Sequence, residues 1–332
     1  HVLLSSLDET IIQHGAEFNL GLHKYQGENY SPKGHKYIVS FEWEQVPTWT
    51  YRVGGVLLRK ELSFDTSIHR IYVRYTLLDA HSETTLRLRP FLAFRSVRQW
   101  THENNVANKS YDEVENGIRM CLYQGYPDLY MQTSKVNDWH YCPDWYRGMD
   151  YPKERERGYN ATEDLLVPGY FEMPIKKGES IVFSAGIAPI EAKEINALME
   201  KEISQIDHRD SFYHCLVNAA HQFRVNKDNE SYILAGYPWF KPRARDTFIS
   251  LPGLTLAIGE KERFEEYMAT AAKGIQNFIN KEPMSVDIYE MEQPDTLLWA
   301  TWTIQQYAKY TSRKVCYEKY GKLFKDIMDY IW

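Results

Sequence analysis

The spacing of apolar residues changes once along this chain, near residue 208, and that change limits the folds open to it. Before it, Ile71, Val73, Tyr75 and Leu77 alternate with Tyr72, Arg74 and Thr76. Leu86, Leu88, Pro90 and Leu92 likewise alternate with Arg87, Arg89 and Phe91. A period of two turns one strand face inward and the other outward. Val56 to Phe64, Ile118 to Tyr123, Leu129 to Thr133 and Ser180 to Ile187 read as further strands. His1 opens on Val-Leu-Leu-Ser-Ser-Leu, a strand entered midway, so additional chain is expected upstream. Two packed antiparallel sheets would bury all these apolar faces against one another.

After the change the spacing is helical. Phe212, Cys215, Leu216 and Ala219 predict one helix, and Phe264, Tyr267, Met268, Ala271, Ile275, Phe278 and Ile279 a longer one. Leu298, Trp302 and Gln305 extend the pattern between Asp295 and Tyr310. Tyr317, Tyr320, Phe324, Ile327, Met328 and Ile331 give the last stripe. About five helices are expected. Strands first and helices afterwards imply two domains, not an interleaved sheet. The expected division is 1–190 as a β-sandwich, 191–207 as a linker helix and 208–332 as helices.

Composition excludes several function classes. The net charge of −6 offers no basic footprint for nucleic acid. No apolar run approaches the roughly 18–20 residues that span a bilayer. The cysteines, at 121, 142, 215 and 316, show no Cys-x-x-Cys pairing, which suits a reducing, cytoplasmic setting better than a disulfide scaffold or zinc knuckle. No Gly-rich phosphate loop, Ser-His-Asp spacing or His-Glu-x-x-His is visible, so no cofactor and no metal is expected. His214 and His221 read as structural histidines.

Three segments could carry chemistry. Gly236 to Gly253 sets Trp239 and Phe240 beside Lys241, Arg243, Arg245 and Asp246. An aromatic platform with a guanidinium–carboxylate fork has the parts to hold a sugar ring. The plainer alternative is a Pro-rich loop with Asp246 capping a helix, one that Pro252 could kink. Glu290, Glu292 and Asp295 then precede a helix containing Trp299. They fit either a sugar-binding carboxylate with Trp299 beneath it, or an N-cap and dipole bias. Cys142-Pro-Asp-Trp-Tyr-Arg147 lies in a stretch with 11 aromatics between Tyr123 and Phe171, expected to be loop-rich and able to wall a pocket. Lys153 to Arg157 reads as a solvated charge run.

Taken together these segments resemble the glycogen-debranching, amylo-α-1,6-glucosidase type of glycoside hydrolase. The resemblance rests on Tyr237-Pro-Trp-Phe240, Arg245-Asp-Thr247, Leu251-Pro-Gly-Leu254 and Asp295 with Leu298-Trp299. Pro143-Asp-Trp-Tyr146, Glu156-Arg-Gly158, Glu163-Asp-Leu165, Pro168-Gly-Tyr-Phe171 and Leu7-Asp-Glu9 resemble its N-terminal domain. The sequence departs from the family pattern at Arg243-Ala244, where Trp-Gly is usual, and at Glu292-Gln-Pro294, where Asn-Thr-Val is usual.

The resemblance implies an N-terminal β-supersandwich followed by an (α/α)6 barrel. It implies that Arg245, Asp246 and Asp295 bind sugar hydroxyls and do not transfer protons. Twelve barrel helices need roughly 250–300 residues, and His208 to Trp332 supplies 125. An incomplete barrel is therefore expected, with the general acid and base downstream of Trp332. The implied function is hydrolysis of α-1,6 branch linkages in glycogen or related α-glucans, by inversion. Glycogen or malto-oligosaccharide is the expected partner, with no nucleic acid and no membrane. The alternatives are a non-catalytic glucan-binding or regulatory homologue, or an α-glucoside phosphorylase.

Overall fold

The computed structural model describes residues 1–27, 29–236 and 240–332. The chain divides into two compact units, His1–Asp207 and His208–Trp332.

The first unit is built on two antiparallel sheets. The seven-stranded sheet runs, edge to edge, Ala16–Asn19, Val2–Gln13, Thr84–Arg95, Thr162–Ile175, Asp138–Asp150, Leu22–Tyr25 and Asn29–Lys33. The eight-stranded sheet runs Asp112–Val114, Gly117–Met120, Leu129–Thr133, Ser180–Gly186, Arg70–Asp79, Val56–Asp65, Pro47–Val53 and Ile38–Trp43. Their inner faces share one core. Ile11, Leu86, Leu88 and Phe171 from the first sheet meet Leu58, Val73, Met131 and Phe183 from the second. Each such side chain stabilises the fold by about 1.5–3 kcal/mol on burial. Polar contacts cross between the sheets at Glu9: Tyr75 donates its hydroxyl to Glu9 Oε1 at 2.6 Å, and Lys60 pairs with the same carboxylate.

Helix α1 (Pro152–Glu156) lies in the connection between the paired strands Asp138–Asp150 and Thr162–Ile175, with Lys153 paired to Glu156 and the C-cap Arg157 to Glu154. Helix α2 (Ile195–Ser204) was expected as a linker. Its Ile195, Met199 and Ile203, one turn apart, instead pack on Tyr72 and Val182 of the eight-stranded sheet, so it belongs to the first unit. Cys142 to Arg147, expected in a loop, lies within the strand Asp138–Asp150. Bulges between Tyr141 and Asp144 and between Tyr146 and Met149 break its alternation, so the two-residue pattern is lost although the pairing continues.

Among the charged groups buried in this unit are Arg70 and Glu163. Arg70 is 1% exposed, donates to Ser184 Oγ at 2.7 Å and to the carbonyl of Ala188, and faces Gly186 across the ladder. A Cβ at Gly186 would stand 2.8 Å from the Arg70 guanidinium carbon, so the glycine makes the room. Glu163 is fully buried and accepts from Arg95, from Tyr151 Oη at 2.7 Å and from the Thr101 N–H at 3.2 Å. The Arg95 guanidinium lies 4.5 Å over Trp100, which stacks on Tyr151.

The second unit holds α3 (Phe212–Gln222), α4 (Ala244–Leu254), α5 (Lys261–Asn280), α6 (Thr296–Tyr310) and α7 (Arg313–Ile331). A hairpin, Arg224–Lys227 with Glu230–Ile233, was not expected. Its two-residue turn, Asp228 and Asn229, has φ of 52° and 63°, the left-handed pair that short polar residues tolerate in such turns. The α5 stripe is buried as read, through Phe264, Tyr267, Met268, Ala271 and Ile275.

Two other stripes are rotated. Helix α6 buries Leu297, Ala300, Ile304 and Tyr307, leaving Leu298 exposed, because apolar residues occur on both of its faces. Helix α7 buries Cys316, Tyr320, Leu323 and Ile327, and Tyr317 points outward. On α3, Phe212 is 80% exposed and Leu216 is also exposed, while Asn218 and Ala220 are buried. The serine at 211 caps α3 by accepting the His214 N–H. Among the described residues no helix is long and apolar enough to cross a membrane.

Candidate functional site

Backbone pairing brings two of the expected segments together. Arg243 and Tyr289 form a parallel bridge, in which Ala244 N donates to Tyr289 O at 2.9 Å and Tyr289 N to Pro242 O at 3.0 Å. The segments leading into α4 and α6 therefore run side by side. The Arg245 and Asp295 side chains, one from each helix start, meet there. Unsatisfied N–H groups at the two N-termini favour the carboxylates placed beside them.

Asp295 flanks α6 at its N-terminus, but its carboxylate makes no cap bond. Its Oδ2 instead accepts from Arg245 Nε at 2.9 Å and from Trp299 Nε1 at 3.1 Å. Among the described residues none donates to Oδ1. Helical spacing explains the second bond, since residues four apart stack on one helix face. Trp302 meets Trp299 edge to face at 5.5 Å.

Arg245 and Asp246 do not lie before the helix as expected. They are the second and third residues of α4, whose N-cap is Arg243. They also do not form a fork with each other, because Arg245 turns to Asp295. Asp246 is exposed at a position that suits a negative charge in the first turn. Ser250 binds its backbone carbonyl at 2.7 Å, and no described residue donates to its carboxylate. The platform side of the cluster is partly described. Trp239 lies outside the described residues. Phe240 is half-exposed, with one face taken by the Arg243 guanidinium at 4.6 Å.

Tyr289 and Glu290 complete the cluster. Lys241 Nζ donates to Tyr289 Oη at 3.0 Å and lies 4.6 Å over its ring. Arg243 Nε stands 3.3 Å from Glu290 Oε1. Glu290 has φ of +61°, a left-handed conformation that costs about 1–2 kcal/mol for a residue with a Cβ. The sequence carried a signal for Glu290 in its run of acids, but none for Tyr289. Among the described residues no group of His, Cys, Asp and Glu is placed to hold a metal ion.

Pro252 lies inside α4 and is buried. Lacking an N–H, it leaves the Phe248 carbonyl without its helical donor. Thr303 of α6 supplies the missing bond, its hydroxyl 2.6 Å from Phe248 O. The helix carrying Arg245 is thereby tied to the helix that follows Asp295. His214 and His221 each contact a carboxylate away from this cluster. His214, in the first turn of α3, pairs with Asp210 just before the helix, and His221 Nε2 lies 2.7 Å from Glu260 Oε1.

The chain thus has a sheet-rich unit followed by a helical one, with aromatic, guanidinium and carboxylate groups gathered at two helix starts. Residues 1–182 match the family described as glycogen debranching enzyme N terminal, and residues 216–331 match amylo-alpha-1,6-glucosidase. The chain belongs to the glycogen debranching enzyme family.

No curated protein matches it significantly. A crystal structure of a bacterial glucoamylase complexed with acarbose is similar over 99% of this chain and 61% of its own, at 10% identity and a TM-score of 0.37. A polysaccharide lyase is similar over 60% of this chain and 28% of its own, at 11% identity and a TM-score of 0.25. The chain thus spans less than two thirds of either solved structure.

Proposed function

We propose that this chain supplies the supersandwich and the first helices of an (α/α)6 barrel in a glycoside hydrolase acting on α-1,6 branches of glycogen or related α-glucans. The observation that carries the reading is the shared acceptor. Arg245 and Trp299 both donate to Asp295 Oδ2, which orients the carboxylate and leaves Oδ1 for a ligand hydroxyl. The Asp246 carboxylate, without a donor among the described residues, offers a second acceptor in the first turn of α4. Trp299, Phe240 and Trp239 would supply apolar faces for the sugar ring.

These roles are binding roles. Inverting hydrolysis needs a general acid on the glycosidic oxygen and a base activating water, their carboxyls about 6.5–9.5 Å apart. Asp295 is committed to two donors, so it suits neither task, and the acid and base are assigned to residues outside this cluster.

Glucose release from a branched α-glucan, compared between the intact protein and Asp246→Ala, tests the reading. A fall in turnover or glucan affinity of at least about tenfold is expected for loss of a charged acceptor. Unchanged kinetics sinks the assignment. Glucan affinity without glucose release would favour a binding or regulatory homologue, and release only with added phosphate an α-glucoside phosphorylase.

A further inference from the structure

The bulged strand Asp138–Asp150 borders a cavity of about 410 Å3 on the first unit, lined by Tyr25, Gln26, His102, Arg147, Thr162 and Asp164. Small-molecule sites span roughly 300–1,000 Å3. Its charged walls are fixed by internal bonds. Asp164 accepts the Gly148 N–H at 2.8 Å through Oδ1 and the Glu103 N–H at 3.0 Å through Oδ2. His102 Nδ1 stands 3.6 Å from the same Oδ2. Arg147 is committed to Glu103, with Nη2 2.9 Å from Oε1. Gln26 N donates to Gly148 O at 3.0 Å, joining two lining residues of this open depression.

Three lining groups have no hydrogen-bond partner among the described residues: the Tyr25 hydroxyl, the Gln26 side-chain amide and the Thr162 hydroxyl. Burial, with help from Asp8 and Tyr146, pushes the Tyr25 hydroxyl up to about 12, so it remains a neutral donor and acceptor. An anionic ligand would need a cation not already paired, and Arg147 is paired. An apolar ligand would strand three polar groups at a cost. What satisfies the cavity is a neutral molecule with several hydroxyls.

We infer that this cavity is a second saccharide site, taking a glucosyl unit of an α-glucan through Tyr25, Gln26 and Thr162. The choice of glucan rests on the function proposed above, but none of the residues belongs to the Arg245–Asp295 cluster. The site would let the first unit hold one part of a branched polymer while the second holds another.

Titration of the intact protein with maltotriose, followed by calorimetry and ligand-observed NMR, tests it. Two classes of binding are expected. Tyr25→Phe keeps the ring and should weaken one class about fivefold, the effect of one lost hydrogen bond. Thr162→Val with Gln26→Ala should weaken the same class about 25-fold, and Asp295→Asn should leave it unchanged. Unaltered affinity in both sets of cavity variants overturns the site, as does absence of maltotriose binding by the wild-type protein. Binding lost only in Asp295→Asn removes the second site and keeps the function proposed above. Binding lost only in the cavity variants does the reverse.

Discussion

Thr303 donates its hydroxyl to the Phe248 carbonyl, the acceptor that Pro252 leaves without a helical partner. Thr303→Val should therefore destabilise the protein by about 1–3 kcal/mol, the cost of an unsatisfied buried carbonyl. Pro252→Ala restores an N–H four residues after Phe248. In that background Thr303→Val should cost clearly less. Denaturant melts of the four proteins measure the coupling, and additive effects would show that the two residues act separately.

The shared acceptor on Asp295 separates binding from stability. Arg245 and Asp295 are 54% and 40% exposed, so their ion pair contributes at most about 1 kcal/mol. Asp295→Asn should leave the melting temperature nearly unchanged while weakening glucan binding at least tenfold. Trp299→Phe keeps the ring but removes the N–H donor, and should produce a smaller loss of affinity. Equal losses of stability and binding would argue for a structural role.

Glu163 lies at the opposite extreme of burial. Glu163→Gln would leave the Arg95 charge without its counter-ion in the interior, and loss of about 3–5 kcal/mol is expected. Arg95→Met together with Glu163→Leu should recover much of that loss, because neither charge then remains. Chemical denaturation of the single and double variants reads both effects. A mild effect of the single change would indicate that water reaches the site.

The helical unit should weaken in acid. Burial alone would raise the Glu260 carboxyl, but hydrogen bonds from His221 and Arg224 outweigh it and hold the group below its ordinary range. Glu265 is similar: burial raises it, and Lys319 and Tyr307 more than offset this. A carboxyl depressed on folding contributes stability above its unfolded value of about 4.3 and loses it as pH falls through the folded value. Helical circular dichroism should therefore become more sensitive to denaturant below about pH 4.5. Glu260→Gln should flatten that dependence, and an unchanged slope would assign the acid sensitivity elsewhere.

Much of the architecture was legible because period governs burial. Leu86, Leu88 and Leu92 alternate and are buried, and the α5 stripe from Phe264 to Ile275 repeats every three or four residues and is buried. Where two faces of a helix carry apolar side chains, the pattern does not choose between them. Leu298 and Trp302 on α6 compete with Leu297, Ala300 and Ile304, and tertiary packing decided for the second set. Strand Asp138–Asp150 was illegible because its bulges reverse the alternation twice.

In the candidate site, Arg245 and Asp295 were legible as residues, but their partnership was not. It depends on the parallel bridge between Arg243 and Tyr289, 46 positions apart in sequence. Nothing local announces such a pairing.

Gly186 gives the sheet an unusual sensitivity. A methyl group in place of its hydrogen would normally be a matter of space, measured in cubic ångströms. Here the displaced neighbour is the Arg70 guanidinium, whose acceptors on Ser184 and Ala188 are fixed in place. Gly186→Ala would thus act as an electrical fault: the smallest possible change in volume unseats a whole positive charge from its acceptors on Ser184 and Ala188.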